Sequence, residues 1–218
     1  MVDWDRAVAH RIRKSLSQQA YQILLGRLLK NELVPGDIVN RRDIAHQLGM
    51  SVAPVLEALL QLVSEGYLES MPRRGTRVKP VRIEDVRGQL IVRESLECGA
   101  ARFFCGKPIK DNYKRFLGIA EKLDAFNDES YERWQAEIAF HQDLVRLTEI
   151  DALIREFDRV FRLTIFYRLN RAIGVQRGKV SDPHVKLLKE LTIDNSSDAE
   201  NAIRSHIRAG KEHLFAST

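Results

Sequence analysis

The sequence lacks the features that would tie a chain to a membrane or to an oxidising compartment. No uncharged stretch approaches the ~20 residues that a membrane-spanning helix needs. The opening MVDWDRAVAHRIRK contains no apolar core of signal-peptide length. These absences lead to the expectation of a cytoplasmic protein with no membrane partner. Only two cysteines occur, Cys98 and Cys105, seven residues apart. On one predicted helix face they make neither a metal-ligand pattern nor a disulfide framework, and they read as reduced, semi-buried thiols. Internal repeats and low-complexity tracts are also missing, which excludes solenoids and biased disordered segments. A large excess of one charge is absent too, the formal net charge being +5. Residues 1–80 hold 12 Lys/Arg against 8 Asp/Glu, which leaves +1 for the rest of the chain. That asymmetry fits a polyanionic partner for the first third.

What is present is an ordinary globular composition, 44% hydrophobic and 30% charged over 218 residues, enough for one large domain or two small ones. Residues 1–14 are polar and basic and read as an N-terminal arm. From Leu16, the apolar positions Ala20, Ile23, Leu24 and Leu28 follow helical spacing. Pro35-Gly36 forces a turn before the short β-type piece Ile38-Val39. RRDIAHQLGM reads as a compact second helix with Ile44, Ala45 and Leu48 inward and Gly49 as a left-handed stop. Ser51 then stands as the N-cap of a third helix with Pro54 in its first turn. Two short strands, YLESM and TRVKP, flank the turn residues PRRG. Helix, helix, tight turn, helix, hairpin is the order of a winged helix-turn-helix, here residues 15–79.

Past Pro80 no clear strand is found. Amphipathic segments near 84–105, 109–126, 129–148, 150–173, 182–192 and 197–215 predict an antiparallel bundle of about six helices over residues 80–218. The expected fold class is therefore mostly α, with a small β-hairpin wing in the first domain.

The third helix of the first domain poses the sharpest question. With Val55, Ala58, Leu59 and Leu62 as its buried face, about 100° per residue puts Glu57, Gln61 and Ser64 on the opposite side. Val52, Leu56 and Leu60 fall on a flank and widen the apolar arc. Arg73, Arg74 and Arg77 on the hairpin suit phosphate contacts or entry into a minor groove. Residues 16–78, above all VPGDIVNRRDIAHQLGMSVAPVLEALLQLVSEGYLESMPRRGTRV, resemble the DNA-binding domain of GntR-type bacterial transcription regulators. The likeness rests on Pro35-Gly36, Ala45, Leu48-Gly49, Ser51, Pro54-Val55, Glu57-Ala58-Leu59, Leu62, Gly66 and Gly75. It implies DNA contacts from Arg41, Arg42, Ser51, Val52, Ala53, Leu56, Arg73, Arg74, Gly75 and Arg77. The chain departs from the family at 52 and 56, where arginines are usual, and at 60, which is often basic. Arg41, Arg42 and the wing arginines are then expected to carry most of the affinity, with a weaker or A·T-biased sequence preference.

In the helical domain, Glu137 and His141 in EIAFHQDL stand one turn apart on one face. His184 opens the fifth helix behind a Ser/Asp cap, and His206 lies along the last. Three imidazoles and a carboxylate make an N₃O set for a borderline transition metal; the alternative is three partly exposed histidines and a surface glutamate. Residues about 84–215 are similar to the all-helical FCD effector domain of the FadR branch of that family. There a D-x-x-F-H pair and two later histidines often hold a metal. The resemblance implies a divalent transition metal on Glu137, His141, His184 and His206, zinc before nickel or manganese, with Glu137 in place of the usual aspartate. His213 reads as a surface or interface residue, and His10 and His46 have no evident partners. Arg93, in LIVRESLE, matches a family arginine that often faces the effector; its other reading is a surface pair with Glu97 at i, i+4. Arg162, Tyr167, Arg168 and Arg171 are further polar candidates, each with a solvated-face alternative.

The resemblance implies a regulator that binds double-stranded operator DNA as a homodimer and responds to a small organic or sugar acid. Two other functions compete, a metal-dependent enzyme on the bundle and a regulator-like protein without sequence-specific DNA binding. The enzyme lacks any general base or nucleophile at a recognisable spacing.

Overall fold

The computed structural model describes residues 15–127, 130–170 and 183–209. The chain divides after Pro80 into two compact units.

In the first unit, α1 (Leu16–Leu29) starts from a reciprocal cap. The Gln18 amide donates to the Ser15 hydroxyl, and the Ser15 amide donates to the Gln18 side chain. Its buried stripe is Ala20, Tyr21, Leu24, Leu25 and Leu28, and the Tyr21 hydroxyl donates to the Glu65 carboxylate at 2.6 Å. Strand β1 (Ile38–Val39) follows the Pro35-Gly36 turn. Helix α2 (Arg41–Leu48) is capped by the Asn40 side chain and ends at Gly49, whose φ of 62° is left-handed. An added Cβ at Gly49 meets nothing within 4 Å, so only the backbone resists substitution. Gly49→Ala is expected to cost about 1 kcal/mol, read as a lower denaturation midpoint for the transition of this unit.

Helix α3 (Val52–Ser64) buries Val55, Ala58, Leu59 and Leu62, the face the spacing predicts. Ser51 holds the N-cap position with extended backbone, yet its side chain makes no capping hydrogen bond. The reason lies three residues on: Pro54 occupies N3, so one of the two amides a cap can use is missing. Strands β2 (Leu68–Met71) and β3 (Gly75–Val78) form the wing, and β1 joins them in an antiparallel sheet of order β1-β3-β2. Register pairs Glu69 with Arg77 and Met71 with Gly75.

The second unit consists of α4 (Ile83–Phe104), α5 (Lys107–Asp124), α6 (Tyr131–Arg146), α7 (Asp151–Leu169), α8 (His184–Glu190) and α9 (Ser196–Arg208). Helix α4 packs against α7 and α9, and α5 packs against α6 and α8. The core is rich in aromatic rings: Phe104, Phe116, Phe140, Phe157, Phe161 and Phe166 are all fully enclosed, with Trp134 beside them. Helix α7 stops at Leu169 and α9 at Arg208, short of the expected 173 and 215; residues 171–173 and 210–215 lie outside the described residues. So do the N-terminal arm, His10, Arg171, the expected cap at Ser181-Asp182 and His213. Cys98 on α4 and Cys105 at its end are both buried thiols, and burial pushes Cys98 up to about 11. Among the described residues, no single helix is long and apolar enough to cross a membrane.

Candidate metal centre and nucleic-acid interface

Three helices bring the histidines together. Glu137 and His141 lie one turn apart on α6, His184 is the first residue of α8, and His206 is in the last turn of α9. All four side chains are buried, with His141 fully enclosed. This removes the reading of partly exposed histidines beside a surface glutamate. One ligand atom from each of the four lies within 4.8 Å of the other three. Donors about 2.1 Å from a metal stand ~3.4 Å apart in a tetrahedron, so a contraction of about 1 Å closes the set on an ion.

The polar atoms of this cluster show whether such an ion fits. Glu137 Oε2, His141 Nε2, His184 Nε2 and His206 Nδ1 are all buried without a hydrogen-bond partner. Buried polar groups are nearly always satisfied, and each orphan costs roughly 1–3 kcal/mol. His184 Nε2 comes within 3.2 Å of Glu137 Oε2, and His141 Nε2 within 3.5 Å of Glu137 Oε1. Those approaches lack the alignment of a hydrogen bond at the orphaned atoms. Four orphans converging on one point is what a set of metal donors looks like without its ion, and the residues present fit a metal.

Electrostatics agree with that reading. Burial pushes the Glu137 carboxyl up, but His141 and His184 more than offset it and hold it well below the usual carboxylate range. Burial lowers His184, while Asp124 and Glu137 raise it further, to about 9. His206 is driven well below the usual imidazole range by burial and by its neighbours His141 and His184. A cation would serve the same carboxylate without a charged imidazole.

Behind the cluster stand two carboxylates whose bonds to its histidines the sequence reading missed. Glu97, fully buried on α4, hydrogen-bonds His141 Nδ1. Asp124, the last residue of α5, accepts from His184 Nδ1 at 2.9 Å and from the His184 and Val185 amides at 2.9 and 3.0 Å. Each carboxylate fixes one imidazole by its Nδ1 and turns its Nε2 toward the cluster, the arrangement common around metal-bound histidine. Asp124 also caps α8, which has no side-chain cap from its own N-cap residue, Pro183.

Arg93 departs from the surface pairing that was its other reading. It does pair with Glu97, Nε to Oε2 at 3.1 Å, but with only 4% of one side chain and none of the other exposed. Its guanidinium also lies 4.2 Å from the centroid of the Phe161 ring. A surface pair of marginal value is in fact a buried link, Arg93 to Glu97 to His141. The i, i+4 spacing was the available signal; its burial was not visible in the sequence. Of the other polar candidates, Arg162 lies 3.5 Å from Asp158, Tyr167 is buried, and the side chain of Arg168 is outside the described residues.

In the first unit, Arg41 and Arg42 open α2, and Ser51, Val52 and Ala53 open α3, all exposed. Leu56 is half-buried, while Val52 and Leu60 are 38% and 55% exposed. At the wing tip Arg73, Arg74 and Gly75 are exposed, Arg73 with a φ of 62° and Gly75 with 97°. Arg77 differs, being tied across the strands to Glu69 through Nε at 2.8 Å. No Lys or Arg occurs between Arg42 and Arg73. The free cations of this unit's helix-turn-helix and wing are therefore at the start of α2 and the tip of the wing, and α3 presents apolar and neutral groups with Glu57. His46 is exposed on α2.

Comparison with known proteins bears on both units. Residues 16–78 match the family described as bacterial regulatory proteins, gntR family, and residues 90–209 match the FCD domain. Among curated proteins, the chain is 27% identical over 206 residues to an uncharacterized HTH-type transcriptional regulator in an unstable DNA locus of Streptomyces ambofaciens, covering 87% of this chain and 80% of that protein. It is 24% identical over 203 residues to a Paenarthrobacter nicotinovorans protein described as a probable D-xylose utilization operon transcriptional repressor, covering 90% and 88%. Among solved structures, a GntR-type transcriptional regulator of Rhodococcus sp. RHA1 superposes with a TM-score of 0.71 at 20% identity, covering 94% of this chain and all of that one. Escherichia coli McbR/YncC superposes at 0.68 and 20%, covering 93% and 98%. At that identity the likeness is one of fold.

Proposed function

This chain belongs to the GntR family of bacterial transcription regulators, with an FCD effector domain as its second unit, and on that premise we propose how it works. The protein binds operator DNA as a homodimer through its winged helix-turn-helix, and a metal held by Glu137, His141, His184 and His206 organises the pocket for a small acid. The family and its relatives are transcription regulators, not enzymes. The observation that carries the metal is the convergence of four buried, unpartnered polar atoms on one point. Three imidazoles and a carboxylate suit zinc first, with nickel or manganese as alternatives. When bound, the ion supplies a positive centre that an effector carboxylate can share.

Within this reading the chain's own residues divide the work. Asp124 and Glu97 present His184 and His141 to the ion, and Arg93 steadies Glu97 while lending positive charge to the effector's neighbourhood. Arg41, Arg42, Arg73 and Arg74 neutralise backbone phosphates, and the first turn of α3 meets base edges. An effector changes DNA affinity only by binding the competent and incompetent arrangements unequally.

Glu97→Gln and Asp124→Asn are each expected to weaken metal affinity by roughly 10- to 100-fold, measured by competition with a chromophoric chelator. An unchanged affinity in both would remove the two carboxylates from the site. The function itself is tested by salt-dependent binding to DNA from the protein's own promoter region and the flanking intergenic segments. Absence of binding to all of these at low salt overturns it.

A further inference from the structure

We infer that Arg133 is a second anchor for the effector, one helical turn from the metal donors, and that the effector therefore carries two acidic groups. The inference rests on the metal-bound small acid proposed above and narrows its chemistry. Arg133, Glu137 and His141 follow one another at i, i+4 and i+8 on α6. They share one face of that helix, each step turned from the last by only about 40°. Only 9% of Arg133 is exposed, and its Nη1 is buried without a hydrogen-bond partner. Among the described residues it is the one arginine or lysine with such an orphaned atom.

The nearest candidate partner is already engaged. Opposite charges at i, i+4 on a helix ordinarily meet, yet Glu137 turns to His141 and His184 instead. Among the described residues no carboxylate pairs with Arg133. Its guanidinium lies 4.7 Å from the centroid of the Trp134 ring. That contact engages the charge but gives the N–H donors nothing to bond to. Arginine does not shed its charge by losing a proton, so a buried guanidinium calls for an anion. The chain supplies none, and the exposed remainder of the side chain leaves a small anion a way in. Spacing sets the size of that anion. Four residues at a rise of 1.5 Å put Arg133 about 6 Å along the helix from Glu137. A single carboxylate is too short to serve both places, whereas the two ends of a short dicarboxylate are not. With one carboxylate at the ion and the other on the guanidinium, whose planar donors match a carboxylate, such an acid uses both positive groups.

The probes are malonate, succinate and glutarate against acetate and propionate, titrated calorimetrically into the full-length, metal-loaded protein. Trp134 fluorescence, in a Trp4→Phe background that leaves it the only tryptophan, reports whether the ligand reaches the guanidinium beside it. At least one dicarboxylate is expected to bind about 10-fold or more tighter than either monocarboxylate and to shift the Trp134 emission. Arg133→Met, similar in length and uncharged, should abolish that preference while acetate affinity, metal content and circular dichroism stay as in the wild type. Arg133→Lys, which keeps the charge, should restore part of it. A wild type that binds no dicarboxylate tighter than acetate overturns the inference. So does a preference that survives in Arg133→Met, or a lysine variant that behaves as the methionine one does. Metal content, measured on the same samples, separates the two readings. A protein that purifies without metal and takes none up fails the metal centre, whereas a metal-loaded protein without the preference fails only the second anchor.

Discussion

Protein carrying His141→Ala or His184→Ala is expected to purify with less than about a tenth of the wild-type metal, because a four-donor site that loses an imidazole loses most of its affinity. The starting point is a cluster in which four polar atoms are buried with nothing to bond to. An ion that binds only the folded state adds about 4 kcal/mol at a free concentration of ~1,000 times its dissociation constant. For a domain of this size that corresponds to roughly 10 °C in melting temperature. Chelation should therefore lower the melting temperature of the wild type by about that amount and leave both variants where they were. The two histidines differ in what they leave behind. Losing His184 strips Asp124 and Glu137 of a partner, whereas losing His141 leaves Glu97 with Arg93 alone. Unchanged metal content in both variants would sink the site.

Arg42→Ala is expected to reduce the affinity of a dimer for its operator by about 100-fold at low salt, as the change occurs twice and each lost phosphate contact is worth about 10-fold. The slope of log affinity against log salt should become shallower by about 2, one counterion per copy. Leu56→Ala should cost less than about 3-fold in affinity, because Leu56 is half-buried and carries no charge to exchange with counterions. The reverse order would show that the contact surface has been misassigned. The prediction follows from where charge sits, at the start of α2 and the wing tip, with none supplied by basic residues along α3. Arg77→Ala should have a weaker effect than Arg42→Ala, since the Arg77 guanidinium is already spent on Glu69.

Much of the architecture could be read before any coordinates. Periodicity gave α1 to α3 and the buried face of α3, while Ile23 of α1 is exposed and Leu48 of α2 only half-buried; the glycine stop of α2 is realised at Gly49 with a φ of 62°. The pairing of Glu137 with His141 was legible because one helical turn separates them. His184 and His206 stood in one of two readings until resemblance favoured the metal, since nothing in local spacing connects three separate helices. Glu97 and Asp124 were invisible for the same reason: their histidine partners are 44 and 60 residues away in sequence. Arg93 and Glu97 were visible as a pair but misjudged as a surface one, because spacing reports which side chains can meet and says nothing of what covers them. Ser51 shows the opposite failure. A residue correct for its position was deprived of a donor by Pro54, three residues later.

Helix α8 has only seven residues, and an isolated segment of that length does not hold its shape in water. Its order is borrowed from Leu187 and Leu188 in the core and from Asp124, one carboxylate that clasps both its backbone and His184. His184 thus reaches the cluster on the least self-sufficient of the three helices that build it. Of the three, α8 has the least helix of its own to hold its histidine in place. The centre has, in effect, one borrowed wall and two that stand on their own length.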